Sequence, residues 1–346
     1  MSITPRKNKA GKTRYRVQVS IKGVRSPAKT FGTKREAEIY KSNQILQAGG
    51  KAKNEISFDD LVYKFKLEHL SLIKPSTARR YILDLDTRIV PSFSGKNLSE
   101  ISNEMILNFR FDLKENTALS DKSINNCTDT LRTMFNRAVE WEMIDATPFK
   151  IKKLKLEKRE PEWWSDLGDI HKFKSSIQGH QYEAAFLLAL DLGMRLSEVV
   201  GLSKQDIDWK AGKIKVHRQW SEHDSMYVPL KNSGFRTLSF DKDKQLEKSL
   251  LRACTMSNHI ECIFVTSTGN RVLPRRLGNG VYHNARKKAG CPDLSFHGLR
   301  HTYASWYACK GGDLFQLKYN MGHADLQTTM RYAHHRPQDS SSQVSY

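Results

Sequence analysis

Apolar residues return along this chain with two rhythms, one of period two near the N-terminus and one of three to four through most of the rest. Over residues 14–20 (RYRVQVS), Tyr15, Val17 and Val19 alternate with Arg14, Arg16 and Gln18, as in a half-buried strand with its basic and polar side chains outward. Lys22-Gly23 predicts a hairpin turn into a second strand over 24–31, which Pro27 confines to a sheet edge. Thr33, with Glu36 three residues on, forms a capping box for a helix that runs toward Gln47 and stops at Gly49-Gly50. The pattern predicts a small sheet backed by one helix over residues 1–50.

After a connector at 51–55 the rhythm turns helical. Ser57 and Asp60 open a run with Phe58, Leu61, Val62, Phe65 and Leu70 at its apolar positions. Residues 76–90 and 103–113 read as two more helices, separated by a turn-rich stretch at 91–97. The longest amphipathic segment, 120–143, places Ile124, Cys127, Leu131, Met134, Phe135, Ala138 and Val139 on one core-facing stripe. An all-helical domain is therefore expected over 57–148, ended by Pro148. Residues 149–161 read as a basic linker, because 150–160 (KIKKLKLEKRE) carries six basic and two acidic residues. It is either a solvated connector or a tether laid along a phosphate backbone through Lys152, Lys153 and Lys155. From 162 to 346, helices at 169–177, 182–192 and 197–202 give way to strands at 213–217, 226–230 and 236–240. Helices return at 244–255, 280–289 and on toward the C-terminus, which predicts an α+β domain.

Composition alters this picture mainly through charge. The 346 residues carry 57 Lys and Arg against 37 Asp and Glu, a net charge of +20. Residues 1–56 alone hold 14 basic and 3 acidic side chains. Such a surplus points to a polyanionic partner, most simply nucleic acid, and the clustered charge favours a sheet laid into a DNA groove with Arg14, Arg16 and Arg25 as contacts. No apolar run approaches the ~20 residues that span a bilayer, and the polar, basic start lacks a signal peptide's apolar region. The five cysteines form no CxxC pair, which argues against a disulfide framework or a zinc knuckle. A cytoplasmic protein that binds no membrane is expected.

Four stretches of the last domain carry candidate chemistry. LDLGMRLSEVVGL supplies Arg195 and, one turn on, Glu198; VPLKNSGFR supplies Lys231 on an expected hairpin loop. HGLRHTYAS supplies His297 and Arg300 on one helix face, and MGHADLQTTMRYAH supplies His323 and Tyr332. Singly each is unremarkable. His297 and His301 have the i, i+4 spacing of zinc ligands, but Gly298 stands where a zinc protease needs its Glu, so no metal site is expected.

Together, in this order, they resemble the catalytic domain of the tyrosine recombinases, the phage integrase family. The ordered set of that family, Arg, Lys, His-x-x-Arg, His or Trp, then Tyr, reads here as Arg195, Lys231, His297 with Arg300, His323 and Tyr332. Leu230 stands where the family usually has Thr, and Met321 where it often has Leu. The resemblance implies a multidomain α+β fold: a small N-terminal three-stranded sheet plus helix, an all-helical core-binding domain, and a mixed, mainly helical catalytic domain with a small antiparallel sheet. Residues 1–50 would then bind arm-type DNA sites, 57–148 the core site, and 162–346 would hold the catalytic centre and a C-terminal tail.

The roles fit phosphoryl chemistry. Two guanidiniums suit the charge gathering on the non-bridging oxygens of an attacked phosphodiester, and His297 and His323 suit hydrogen bonding or proton movement. Lys231 suits protonation of the leaving oxygen, Tyr332 nucleophilic attack, and Glu198 the orientation of its neighbours. The resemblance further implies a 3′-phosphotyrosyl intermediate with no cofactor, a homotetramer on double-stranded attachment-site DNA, and a place for a host DNA-bending protein and an excisionase. A non-catalytic DNA-binding regulator or a chromosome-dimer resolvase is the alternative. The regulator does not explain why the whole set occurs together, and resolvases lack the basic N-terminal module.

Overall fold

In a computed structural model, which describes residues 2–7, 13–18, 20, 21, 24, 25, 28–34, 36, 37, 40, 56–157, 160–230, 234–242, 244–259 and 261–335, the chain divides into two units, Met1–Lys158 and Arg159–Tyr346. The fold is mixed α and β, mainly helical, with small antiparallel sheets.

The period-two stretch near the N-terminus is strand β2 (Thr13–Gln18), the middle of a three-stranded antiparallel sheet. Strand β5 (Lys29–Phe31) lies on one side and β1 (Ser2–Lys7) on the other. The apolar pattern does not announce β1, because SITPRK does not alternate. Its Pro5 is tolerated since β1 is an edge strand, where a missing N–H costs no ladder bond. Short strands β3 (Ser20–Ile21) and β4 (Val24–Arg25) pair with each other, so Arg25 lies opposite Ser20. Val17 and Ala37 are fully buried with Ile3, Tyr15, Phe31 and Tyr40 packed on them, while Arg14 is exposed and Arg16 half-buried. The capping box is present: Glu36 N–H donates to Thr33 Oγ1 at 3.2 Å, and the Glu36 carboxylate accepts from the Thr33 N–H at 3.2 Å. The expected Lys22-Gly23 turn, Pro27 and the helix's run through 41–47 lie outside the described residues.

From Ser57 onward the same unit is helical. Helices Phe58–Lys64, Pro75–Asp84, Asn103–Glu115 and Asp121–Glu140 surround a core that includes Phe58, Leu61, Phe65, Ile124, Leu131, Met134 and Phe135. The turn expected over 91–97 begins later. A wide turn at Leu85–Ile89 passes directly into helix Val90–Phe93, and Pro91 falls in its first turn, where a proline's missing N–H is harmless.

Residues 149–154 pack on this helical core rather than running free. Ile151 is buried and Phe149 and Leu154 cover the same cluster. The Asn125 side chain donates to the Leu154 carbonyl at 2.9 Å and accepts its N–H at 2.8 Å, and Arg132 holds the Ile151 carbonyl at 2.7 Å. Lys152 and Lys155 consequently point outward, and Lys153 pairs with Asp129 at 2.6 Å.

In the second unit the helix Glu183–Leu192 is apolar almost all round and lies in the core against helix Phe296–Cys309. Strands β6 (Ile207–Asp208), β7 (Lys213–Val216) and β10 (Arg236–Ser239) form an antiparallel sheet in the order β10-β7-β6. The apolar pattern misses β8 (Arg218–Ser221), which pairs with β9 (Met226–Pro229). Its Trp220 meets Tyr227 across the ladder, and the Arg271 guanidinium, from far along the chain, lies 4.0 Å from the Trp220 ring centre. Among the described residues, no helix is long and apolar enough to cross a membrane.

An Asn125→Ala chain loses both bonds that hold Leu154. It should expose Lys152, Lys153 and Lys155 to trypsin at concentrations that leave the wild-type chain intact there, at a cost of about 1–3 kcal/mol. Unchanged cleavage would assign the docking to Ile151 and Leu154 burial alone.

Candidate active site

Two glycines aim backbone carbonyls into the site. Gly193 ends helix Glu183–Leu192 in the left-handed conformation, at φ 66°, where an L side chain is strained and a Cβ would lie 2.5 Å from Tyr303. Its carbonyl accepts from the Arg300 guanidinium. Two residues later, Arg195 is the N-cap of helix Leu196–Val200, and its backbone N–H donates to Glu198 Oε2 at 2.8 Å. Gly322 ends helix Leu314–Met321 in the same way, at φ 58°. A Cβ there would stand 2.9 Å from Arg236 Nη1, so only glycine lets the guanidiniums approach.

Around these turns the cations are held by one carboxylate. Glu198, 1% exposed, accepts from Arg195 Nη1 at 2.8 Å and from Arg236 Nη1 and Nη2 at 3.1 and 2.7 Å. Arg195 Nη2 donates to the Gly322 carbonyl at 2.9 Å, and Arg236 Nε to that of Asn320 at 2.8 Å. Burial opposes ionisation of Glu198, but Arg236, with Arg195 and Arg300, outweighs it and holds the carboxyl at about 2. Arg300, 2% exposed, donates to the carbonyls of Gly193 and Met321. Burial, then Arg195, pushes its guanidinium down to about 9, which leaves it charged at neutral pH.

Helix Phe296–Cys309, capped by Ser295 Oγ, presents His297, Arg300 and His301 in its first two turns. The rings of His297 and His301 meet edge to face at 4.7 Å. His323 follows Gly322, with Nδ1 2.8 Å from the Thr329 hydroxyl. Tyr332 lies just beyond the short helix Gln327–Met330, 1% exposed among Ala304, Ala308, Leu317 and Met321. Its hydroxyl sits 2.5 Å from His301 Nδ1. Arg195, His297, Arg300, His301, His323, Arg331 and Tyr332 line one cavity of about 540 Å³.

Electrostatics divides these groups into charged donors and neutral rings. Burial and the neighbouring guanidiniums Arg300, Arg195 and Arg331 push His323 down to about 3. Burial, His297, Arg331 and Arg300 push His301 down to about 4. Burial raises the Tyr332 phenol above its ordinary value, against the pull of Arg300 and Arg331. At neutral pH the cavity therefore holds three guanidiniums, two neutral imidazoles at 301 and 323, and a protonated phenol. Each guanidinium has five N–H donors. Two of those of Arg195 and two of those of Arg300 hold anchors, leaving others for an anion.

The fold thus brings Arg195, His297, Arg300, His323 and Tyr332 to one cavity, with Glu198 beneath it. Lys231 lies outside the described residues. The structure adds Arg236, His301, Thr329 and Arg331, which the sequence motifs do not mark as part of the site. Of these, only His301 carries a local signal, its i, i+4 spacing from His297, and that spacing by itself points to metal rather than to the tyrosine. Among the described residues no three His, Cys, Asp or Glu side chains are grouped to hold a metal ion.

Known proteins resemble this chain along most of its length. The family models described as phage integrase family and phage integrase SAM-like domain match residues 168–339 and 73–156. A tyrosine recombinase XerC-like protein of Caldanaerobacter subterraneus subsp. tengcongensis is 27% identical over 379 aligned positions, covering 97% of this chain and 96% of that protein. The ICEBs1 integrase of Bacillus subtilis (strain 168) is 24% identical, covering 87% and 85%. Among solved structures, the Tn1549 transposon integrase in complex with a circular intermediate DNA superposes with TM-score 0.69 at 21% identity, covering 80% of this chain and 95% of that one. A lambda integrase dimer bound to a COC′ core site superposes with TM-score 0.63 at 16% identity, covering 98% and 97%. The chain belongs to the phage integrase family of tyrosine recombinases. It is an enzyme of site-specific recombination.

The Glu198 carboxyl titrates at about 2 in the folded chain against 4.5 ordinarily. Its stabilisation is therefore complete above the ordinary value and is lost as the pH falls toward the folded one. A Glu198→Gln chain, which leaves the guanidiniums uncompensated, should lose about 3–5 kcal/mol at neutral pH. Its urea midpoint should then fall less than the wild type's between about pH 5 and about pH 3. Parallel midpoints over that range would show that the cluster does not depend on the ionised carboxylate.

Proposed function

We propose that the chain is a DNA integrase that cuts and rejoins attachment-site duplexes through a 3′-phosphotyrosyl link at Tyr332, integrating and excising a phage or other mobile element. The observation that carries this reading is the cavity shared by Tyr332, Arg195 and Arg300, where a phenol and two anchored guanidiniums converge with no carboxylate on the lining among the described residues. A phosphodiester placed there has its non-bridging oxygens against forked N–H donors and its phosphorus before the phenolic oxygen.

Tyr332 Oη attacks phosphorus and the P–O5′ bond breaks. Lys231 protonates the departing 5′-oxygen. His323 donates from Nε2 when the Thr329 hydroxyl donates to Nδ1, and His297 adds a further hydrogen-bonding group at the cavity mouth. Glu198 acts as a positioning residue through Arg195. Because the ester is conserved in the P–O–Tyr bond, attack by a 5′-hydroxyl reverses the step without an external energy source.

Residues 1–50 supply arm-site binding, with Arg14 and Arg16 on β2 of the three-stranded sheet and Arg25 on β4 of the separate two-stranded pair. Residues 57–148 bind the core site, and 162–346 form the catalytic domain. Lys152 and Lys155 of the 149–161 segment are placed for phosphate contact, and Lys153 would have to leave Asp129 to join them. Four copies acting on two duplexes complete the exchange, with a host DNA-bending protein and an excisionase as accessory partners, in the cytoplasm of a bacterial host. In such an assembly the segment after Tyr332 would pack on a neighbouring copy. Within this chain, His335 lies 4.8 Å from the Trp163 ring, and residues 336–346 are outside the described ones.

Mixed with a nicked attachment-site duplex in EDTA without ATP, the wild-type chain should form a denaturant-resistant adduct. Tyr332→Phe should form none while binding the duplex with undiminished affinity. An adduct from Tyr332→Phe would remove this residue as nucleophile, and tight binding without any wild-type adduct would favour the regulator. Deleting residues 1–50 should leave core-site cleavage intact and abolish integration; normal integration would overturn the arm-binding role.

A further inference from the structure

Resting on the reading of Tyr332 as nucleophile, we propose that His301 is the base that takes the phenolic proton during strand cleavage, and so is a catalytic residue of this chain. In the family's ordered set the corresponding position is simply the residue after the second arginine. Here the geometry singles it out.

The phenolic oxygen and His301 Nδ1 are 2.5 Å apart, which is hydrogen-bonding distance for an O–H donating to an imidazole nitrogen. Both partners are held. His301 sits in the second turn of the capped helix Phe296–Cys309, and the Tyr332 ring is seated between Ala304 and Ala308 of that helix and Leu317 and Met321. The acceptor is thus fixed by one helix, and the donor packs against that helix and against helix Leu314–Met321.

The ring has the right charge state to accept. The titratable groups facing it are His297 and Arg300 on its own helix and Tyr332 and Arg331 from the turn beyond Gln327–Met330. Burial, with the neighbouring Arg331 and Arg300, keeps the imidazole neutral, its proton on Nε2 and its Nδ1 lone pair toward the phenol. The arginines that depress the ring are also the ones a phosphate would neutralise. Entry of DNA therefore raises the proton affinity of His301 as phosphorus begins to bond the phenolic oxygen and makes the phenol more acidic. In the step, the Oη–P bond forms, the P–O5′ bond breaks, the phenolic proton passes to His301 Nδ1, and the 5′-oxygen takes a proton from Lys231. In rejoining, the 5′-hydroxyl returns its proton to Lys231 and the imidazolium returns its own to Tyr332.

The test uses the full chain and a nicked duplex selected from a random-sequence pool by binding to Tyr332→Phe. Single-turnover adduct formation should be slower by about 10²–10³-fold in His301→Ala. It should remain slow in His301→Asn, which keeps an acceptor oxygen near the Nδ1 position and cannot take the proton. Added imidazole should restore His301→Ala in proportion to its unprotonated fraction. A duplex with sulfur as the 5′-bridging atom, whose leaving group needs no proton, should rescue Lys231→Ala and not His301→Ala. Restoration by Asn would make His301 a positioning residue and overturn the proposal, as would near-normal cleavage by His301→Ala or rescue of His301→Ala by the sulfur substrate. Should His301→Ala bind no duplex, the folded His301→Asn chain decides between the same outcomes. A wild-type chain that binds duplex and never forms the adduct would instead overturn the recombinase reading beneath it.

Discussion

A carboxylate as deeply buried as Glu198 is costly unless cations surround it, and the cations that surround this one are the groups that face the cavity or brace those that do. Arg195 and Arg236 grip its two oxygens, and Arg300 adds its field from the neighbouring helix. The same side chains extend to backbone carbonyls at 193, 320, 321 and 322. Charge neutralisation and chain geometry are thus solved together. Removing the carboxylate would leave guanidiniums repelling one another across a few ångströms, and removing either glycine turn would take one carbonyl acceptor from Arg300 or from Arg195.

That cluster also sets the chemistry of the uncharged groups. A buried histidine beside fixed guanidiniums resists protonation, so His301 and His323 are neutral at neutral pH and can accept as well as donate. The phenol of Tyr332 is kept protonated by burial even though Arg300 and Arg331 pull the other way. Under the proposed roles, an anionic phosphodiester would offset these arginines and so couple substrate entry to activation of Tyr332.

Much of this is legible in the residues alone. Period two marks β2, three-four spacing marks the helical core around Leu131 and Phe135, and the Thr33–Glu36 and Ser57–Asp60 boxes mark helix starts, because each depends on neighbours within a few positions. The ordered cations, histidines and tyrosine are likewise visible, since their motifs are local. Other features have no local signature. Strand β1 exists because β2 offers it an edge, and β8 exists beside β9 with Arg271 stacked on Trp220 from about fifty residues away. Within the stretch 149–161, which reads as a basic linker, Ile151 and Leu154 are docked through Asn125 and Arg132, whose side chains the apolar stripe ignores.

The amino-acid order by itself determined most of the helices, the strand at β2, the basic bias of the N-terminal segment and the ordered motif of candidate side chains, all of which follow from short-range periodicity, composition and local motifs. Only the tertiary structure decided how those side chains meet: that Arg236 shares Glu198 with Arg195, that Thr329 orients His323, and that His301 meets the hydroxyl of Tyr332. The physical reason is range. A hydrogen bond is set within a few tenths of an ångström, while the residues that make these bonds stand from 6 to 38 positions apart. No local rhythm encodes a distance that a packed core must supply.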